Sequence, residues 1–203
     1  MDRKILFVGL GSMLLIGIVI VGVLLFGKPA DFRGAAYVEP YPAAPDFELT
    51  QADGTSFRLS EKRGEIVLLF FGYTSCPDVC PTTLAELNQT LEKLGEDAAN
   101  RVQVIFVTVD PDRDTPERTQ EYVNHFNPSF IGLSGTEAEL TTVWDDYGVF
   151  REIVDGTSAA GYIVNHTARV TLIDGDGNLR VSFNFDTPVE DIVYDLKLIL
   201  KEK

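Results

Sequence analysis

The chain has 203 residues, of which 45% are hydrophobic and 24% are charged, which is typical of one folded domain with an appendage. Its formal net charge is −14, and because residues 1–30 contribute +2, the remaining residues carry −16. A domain this acidic repels phosphate backbones, which argues against a nucleic-acid partner.

An uncharged apolar run occupies residues 5–26. As a helix it is about 33 Å long, enough to cross a hydrocarbon core of about 30 Å, and it is longer than the apolar stretch of a cleavable signal peptide. We therefore predict that residues 1–27 form a single-pass membrane anchor. Arg3 and Lys4 precede the run, so the C-terminal domain is expected outside the cytoplasm. An Arg- and Ser-rich transit peptide is absent, which favours a bacterial inner membrane, with the domain in the periplasm.

Residues 28–45 contain four prolines and predict an extended tether, and residues 46–203 predict the folded domain. Within that domain, apolar periodicity and turn residues predict a hairpin of 47–50 and 56–59, a strand 66–71, a helix 81–94, a strand 102–109, helices 116–126 and 136–147, a hairpin of 168–173 and 179–185, and a closing helix 189–200. This order predicts an α/β fold with a mixed central sheet flanked by helices and extra hairpins. It matches the thioredoxin-like fold.

The only two cysteines, Cys76 and Cys80, lie between the first central strand and the following helix. Thioredoxin-like folds carry reactive cysteines here, although three residues separate this pair instead of two. With Pro81 as the first helical residue, Cys80 is predicted at the N-cap, where the helix dipole favours a thiolate. Asp78 is expected to raise both thiol pKa values and to offset the charge of a bound cation. Thiolates select Cu(I), so a metal site is favoured, with a redox-active pair or a stabilising disulfide as alternatives.

Two histidines are available as a third ligand. His125 is predicted near the C-terminus of a helix, where a partly exposed imidazole is the ordinary expectation. His166 precedes a late strand whose start lies next to the cysteine turn in thioredoxin-like folds, usually with a cis-proline, and here no proline occurs between Arg151 and Thr187. At that place His166 completes a site of two sulfurs and one nitrogen, a ligand set that suits both Cu(I) and Cu(II).

An acidic loop, residues 110–115, follows the second central strand. Carboxylates at this edge of an open α/β sheet often serve function, but Asp-Pro turn formation and helix capping explain the same residues. The roles of Asp110 and Asp114 are therefore left open: these residues shape the site, face a partner or are purely structural. Soft Cu(I) does not choose carboxylates as its first ligands.

Taken together, these motifs resemble the Sco/SenC family over about residues 43–200. The matching stretches are 72–81, 110–116 and 162–167. The resemblance implies a thioredoxin-like fold that binds one copper ion through Cys76, Cys80 and His166. It also implies a role in assembling the CuA centre of cytochrome c oxidase subunit II, and it does not identify the periplasmic copper donor. Asn165 stands where many members have Asp.

Two functions follow as hypotheses. In the first, the protein is a copper metallochaperone that passes its ion to cytochrome c oxidase subunit II by ligand exchange. In the second, it is a membrane-anchored thiol–disulfide oxidoreductase that reduces the CuA-site cysteines of the acceptor through Cys76 or Cys80, without a need for His166. Because only the dithiol binds copper well, the two activities are compatible, and whether the protein is an enzyme stays open.

Overall fold

The computed structural model describes residues 31–158 and 161–202. The predicted membrane anchor lies outside these residues. In the part of the chain that is described, no helix is long and apolar enough to cross a membrane.

A six-stranded mixed sheet forms the centre of the domain, with the strand order β1-β10-β9-β4-β5-β6. Its strands are β1 (Ala35–Ala36), β4 (Ile66–Gly72), β5 (Val102–Thr108), β6 (Ile131–Leu133), β9 (Arg169–Ile173) and β10 (Leu179–Asn184). Strand β4 is parallel to β5 and antiparallel to β9, and all seven of its residues are buried, as its unbroken apolar sequence predicts. The predicted mixed central sheet is confirmed.

Helices pack around this sheet close to their predicted positions. They are α1 (Val79–Leu94), α2 (Glu96–Ala99), α3 (Pro116–Asn124), α4 (Glu137–Asp146) and α5 (Val189–Lys201), with a 3₁₀ turn at Leu59–Lys62. Thr115 caps α3 through its side chain, with Pro116 as first residue, and Thr136 forms a capping box with Glu139 at the start of α4. These local signals explain why the starts of α3 and α4 were predictable.

Two short ribbons stand apart from the central sheet. The first pairs β2 (Glu48–Thr50) with β3 (Ser56–Arg58), as predicted. The second pairs β7 (Arg151–Ser158) with β8 (Gly161–His166) and was not predicted. His166 does precede a strand, β9, but it is also the last residue of β8. The candidate ligand His166 therefore lies on a hairpin of its own.

The segment 32–45, predicted as part of a free tether, is packed on the domain. Strand β1 pairs with β10, and the Tyr37 amide donates to the Arg180 carbonyl. The buried carboxylate of Asp195 on α5 accepts hydrogen bonds from the backbone amides of Arg33 and Gly34 at 2.9 Å each. These bonds join the start of the domain to its last helix.

We expect Asp195→Ala to lower the free energy of unfolding by about 1–3 kcal/mol, because the backbone amides of Arg33 and Gly34 lose their hydrogen-bond acceptor. Chemical denaturation of the wild type and the variant measures this difference. Asp191→Ala is the matched control, since it removes only an ion pair to Arg33 in which both side chains are partly exposed, and it should cost less than about 1 kcal/mol. Equal losses in the two variants would contradict the role assigned to Asp195.

Candidate metal centre

Three side chains from two distant parts of the chain meet at one edge of the sheet. Strand β4 ends at Gly72, and the loop that follows carries Cys76, which is partly buried. Cys80 lies in the first turn of α1 and is fully buried. His166, at the end of β8, is partly exposed. The structure therefore brings together the three residues that the sequence singled out.

The ligand atoms of Cys76, Cys80 and His166 all lie within 4.8 Å of one another. The Sγ atom of Cys80 is 3.6 Å from Nε2 of His166, and the Cys80 amide donates to Sγ of Cys76 at 3.4 Å. The Nδ1 atom of His166 is 3.2 Å from the carbonyl oxygen of Thr167. To bind a metal through Nε2, the imidazole would keep its proton on Nδ1, where that carbonyl can accept it.

The two thiols have opposite electrostatic environments. Hydrogen bonds from Cys80 and from His166 lower the pKa of Cys76 to about 4, in spite of burial, which opposes this. The hydrogen bond to Cys76 and burial raise the pKa of Cys80. Cys76 is therefore the more acidic thiol of the pair.

One expectation about this pair is wrong. The helix begins at Val79 with Asp78 as its N-cap, so Cys80 is the second helical residue instead of the cap, and its pKa is raised instead of lowered. A hydrogen bond from the Asp78 backbone helps to lower the pKa of Cys76, and the effect expected of the Asp78 carboxylate stays a prediction. A sequence does not show these pKa directions, because the hydrogen bond between the two thiols, which the fold creates, is their largest cause.

Close packing fixes the position of the Cys80 sulfur. A Cβ atom added to Gly72 would lie 2.9 Å from that sulfur and 2.7 Å from the ring of Phe106, so only glycine fits here without a shift of the core. On the other side, the buried ring of Tyr73 meets the imidazole of His166 edge to face, with ring centroids 5.8 Å apart. Neither residue was singled out from the sequence, although both flank the cysteine motif.

The remaining candidates lie outside this cluster. His125 is the exposed C-cap of α3, where Nδ1 lies 2.7 Å from the Glu121 carbonyl oxygen, as expected for a surface histidine. Asp110 and Asp114 are fully buried beside the centre, and hydrogen-bonded neighbours occupy their carboxylates. Both carboxylates therefore bind residues near the ligands and do not belong to the ligand cluster.

We expect alkylation of Cys76 by iodoacetamide to stay fast from about pH 8 down to about pH 5, because the thiolate is the nucleophile and a lowered pKa keeps it ionised until the pH nears that value. Peptide mapping of the reduced, metal-free protein by mass spectrometry measures the rate at each sulfur, and buried Cys80 should stay unmodified.

The matched variant is Cys80→Ser. It replaces the thiol that contributes most to the lowered pKa of Cys76, so the fast plateau should end at a higher pH. A wild-type rate that rises about tenfold per pH unit up to about pH 8 would instead indicate an ordinary thiol and contradict the prediction.

Comparison with known proteins places the fold and the centre in context. The SCO1/SenC family model matches residues 35–201. A SCO2-like protein of Rickettsia felis is 34% identical over 193 residues, covering 95% of this chain and 92% of that protein. The solution structure of apo Sco1 from Thermus thermophilus has a TM-score of 0.74 and 40% identity, covering 83% of this chain and 96% of that one.

The structure of Bradyrhizobium japonicum ScoI with copper bound has a TM-score of 0.69 and 38% identity, covering 77% of this chain and 99% of that one. The likeness spans the domain that holds both cysteines and His166, and it confirms the thioredoxin-like fold. With a family model that matches most of its length, this chain belongs to the SCO1/SenC family.

Proposed function

We propose that the protein binds one copper ion through Cys76, Cys80 and His166 and delivers it to the CuA site of cytochrome c oxidase subunit II. The observation that carries this proposal is the convergence of two sulfurs and one imidazole within 4.8 Å. Thiolates prefer Cu(I), and imidazole binds both Cu(I) and Cu(II), so one ligand set serves both oxidation states. ScoI of Bradyrhizobium japonicum, 38% identical, has been solved with copper bound.

The donor set disfavours other metals. Mg²⁺ and Ca²⁺ need oxygen ligands, whereas the cluster consists of two sulfurs and one nitrogen, with Asp110 and Asp114 held by other partners. A structural zinc site needs four protein ligands, and three are grouped here among the described residues. A three-ligand site also leaves room for a ligand from a docked partner, which suits transfer.

Exposure and family support delivery to an oxidase. Cys76 and His166 reach solvent, so the side chains of an acceptor have access to a bound ion. The Sco family has been described as a family of cytochrome c oxidase assembly proteins. We further propose that residues 5–26 anchor the domain in a bacterial inner membrane, facing the periplasm, where subunit II presents its CuA site.

A second candidate function, reduction of an acceptor disulfide, is favoured by the lowered pKa of Cys76. The Cys76 thiolate would attack one acceptor sulfur and release the other as a thiolate. Cys80 would then lose its proton and attack the Cys76 sulfur of this mixed disulfide. That step frees the acceptor sulfur bound to Cys76 and leaves a Cys76–Cys80 disulfide. An external thiol reductant would restore the two electrons that the acceptor gains.

His166→Ala tests the copper proposal. We expect its Cu(I) affinity, measured by competition with a chromogenic chelator, to fall by more than about tenfold, because one of three ligands is lost. Sulfur-to-Cu(II) charge-transfer absorption should appear in the wild type and vanish in Cys76→Ser and in Cys80→Ser. His125→Ala is the matched control, since its imidazole lies on the surface of α3 and should leave both signals unchanged.

The same variants separate the two functions in cells. At limiting copper, His166→Ala should fail to support oxidase assembly, whereas a reductase would still work because thiol exchange does not use the imidazole. Full assembly in that variant would overturn the chaperone proposal and favour the reductase.

A further inference from the structure

The hairpin that carries His166 is tied to the rest of the domain by side-chain contacts, which include the buried side chain of Val164 and a hydrogen bond from Arg151 to the Val109 carbonyl. Strands β7 and β8 form a sheet of their own, with no hydrogen-bonded neighbour in the central sheet among the described residues. A two-stranded hairpin is marginally stable by itself. Ile153 and Ile163, one on each strand, are 45% and 38% exposed. The position of His166 relative to the cysteines must therefore be fixed by specific contacts.

The acidic loop supplies such contacts, because its residues Asp110 and Arg113 bind Tyr162 of β8. The guanidinium of Arg113 stacks on the ring of Tyr162, 3.8 Å from its centroid, and donates to the Tyr162 carbonyl at 3.0 Å. The Tyr162 hydroxyl donates to Asp110 at 2.7 Å, and Arg113 forms an ion pair with the same buried carboxylate. Backbone, ring and hydroxyl of one β8 residue are thus all held by the loop.

The same loop also binds the turn that carries the cysteines. The buried carboxylate of Asp114 accepts from the amide and the hydroxyl of Thr74 at 2.9 and 2.6 Å, and from the hydroxyl of Thr108 at 2.7 Å. Thr74 lies two residues before Cys76. One short loop therefore binds both halves of the centre, the cysteine turn through Asp114 and the histidine hairpin through Asp110 and Arg113.

We propose that Tyr162 and Arg113 are positioning residues that hold β8 so that His166 stays within ligand distance of the cysteines. Tyr162 and His166 are four residues apart on one strand, and because side chains alternate between the two faces, both point to the same face. A strand fixed at Tyr162 therefore presents His166 at a set position. The contribution to copper binding rests on the proposed function.

A double-mutant cycle tests this assignment with Tyr162→Phe, which keeps the stacked ring and removes the hydroxyl. In the presence of His166, we expect Cu(I) affinity to fall about threefold to tenfold, the size expected for one lost hydrogen bond. In a His166→Ala background, the same change should alter the residual affinity by less than about twofold, since Tyr162 acts through the histidine. Equal losses in both backgrounds, or no loss with His166 present, would overturn the proposal.

Two further variants separate positioning from general stability. Tyr147→Phe also removes one hydroxyl hydrogen bond, to the Pro45 carbonyl, at a site away from the centre, and should leave Cu(I) affinity unchanged. Arg113→Lys keeps the charge but loses the planar stacking on Tyr162 and should reproduce the effect of Tyr162→Phe. A loss of affinity in Tyr147→Phe as large as that in Tyr162→Phe would contradict the assignment.

A copper-free readout makes the inference independent of the proposed function. In the reduced apo-protein, we expect Tyr162→Phe to speed amide hydrogen exchange in β8 about threefold to tenfold, while exchange in β9 stays unchanged. Unchanged exchange in β8 would overturn the positioning role even if copper binds. A wild type that binds no copper would overturn the proposed function alone, and the exchange result would still decide the role of Tyr162.

Discussion

The centre depends on one contact between segments that are 86 residues apart, the approach of the Cys80 sulfur to the His166 imidazole at 3.6 Å. The sulfur is held in the buried core, where β4 and α1 meet around Gly72. The imidazole is held at the end of a projecting ribbon. The site thus combines one ligand enclosed by the core and one, partly exposed, whose position depends on contacts made by its hairpin and by Tyr73.

Local signals explain how much of the fold the sequence predicts. The unbroken apolar run of β4 and the capped starts of α3 and α4 each carry their cause within a few residues. The β7–β8 ribbon was missed because its contacts with the domain come from residues far away in the chain, such as Arg113. Strands β1 and β6 have two and three residues, too few for periodicity to show.

The site, like the fold, was only partly predictable from the sequence. Residue type and spacing selected Cys76 and Cys80, whereas His166 was selected by its expected place next to the cysteine turn in a thioredoxin-like fold. Which sulfur is ionised was not predictable, since hydrogen bonding and burial, both tertiary properties, set the two pKa values in opposite directions. The role of the acidic loop was equally hidden, because its carboxylates act through Thr74 and Tyr162.

Because the two sulfurs are buried to different depths, the centre is open to solvent on one side only. Cys80 is closed off on the core side, whereas Cys76 and His166 face the solvent. Under the proposed function, an incoming donor or acceptor group would meet a bound ion from the open side only. Exchange would then replace Cys76 and His166 first, and Cys80 would be the last ligand to release a departing ion, so the ion would stay attached to the protein until the handover is complete.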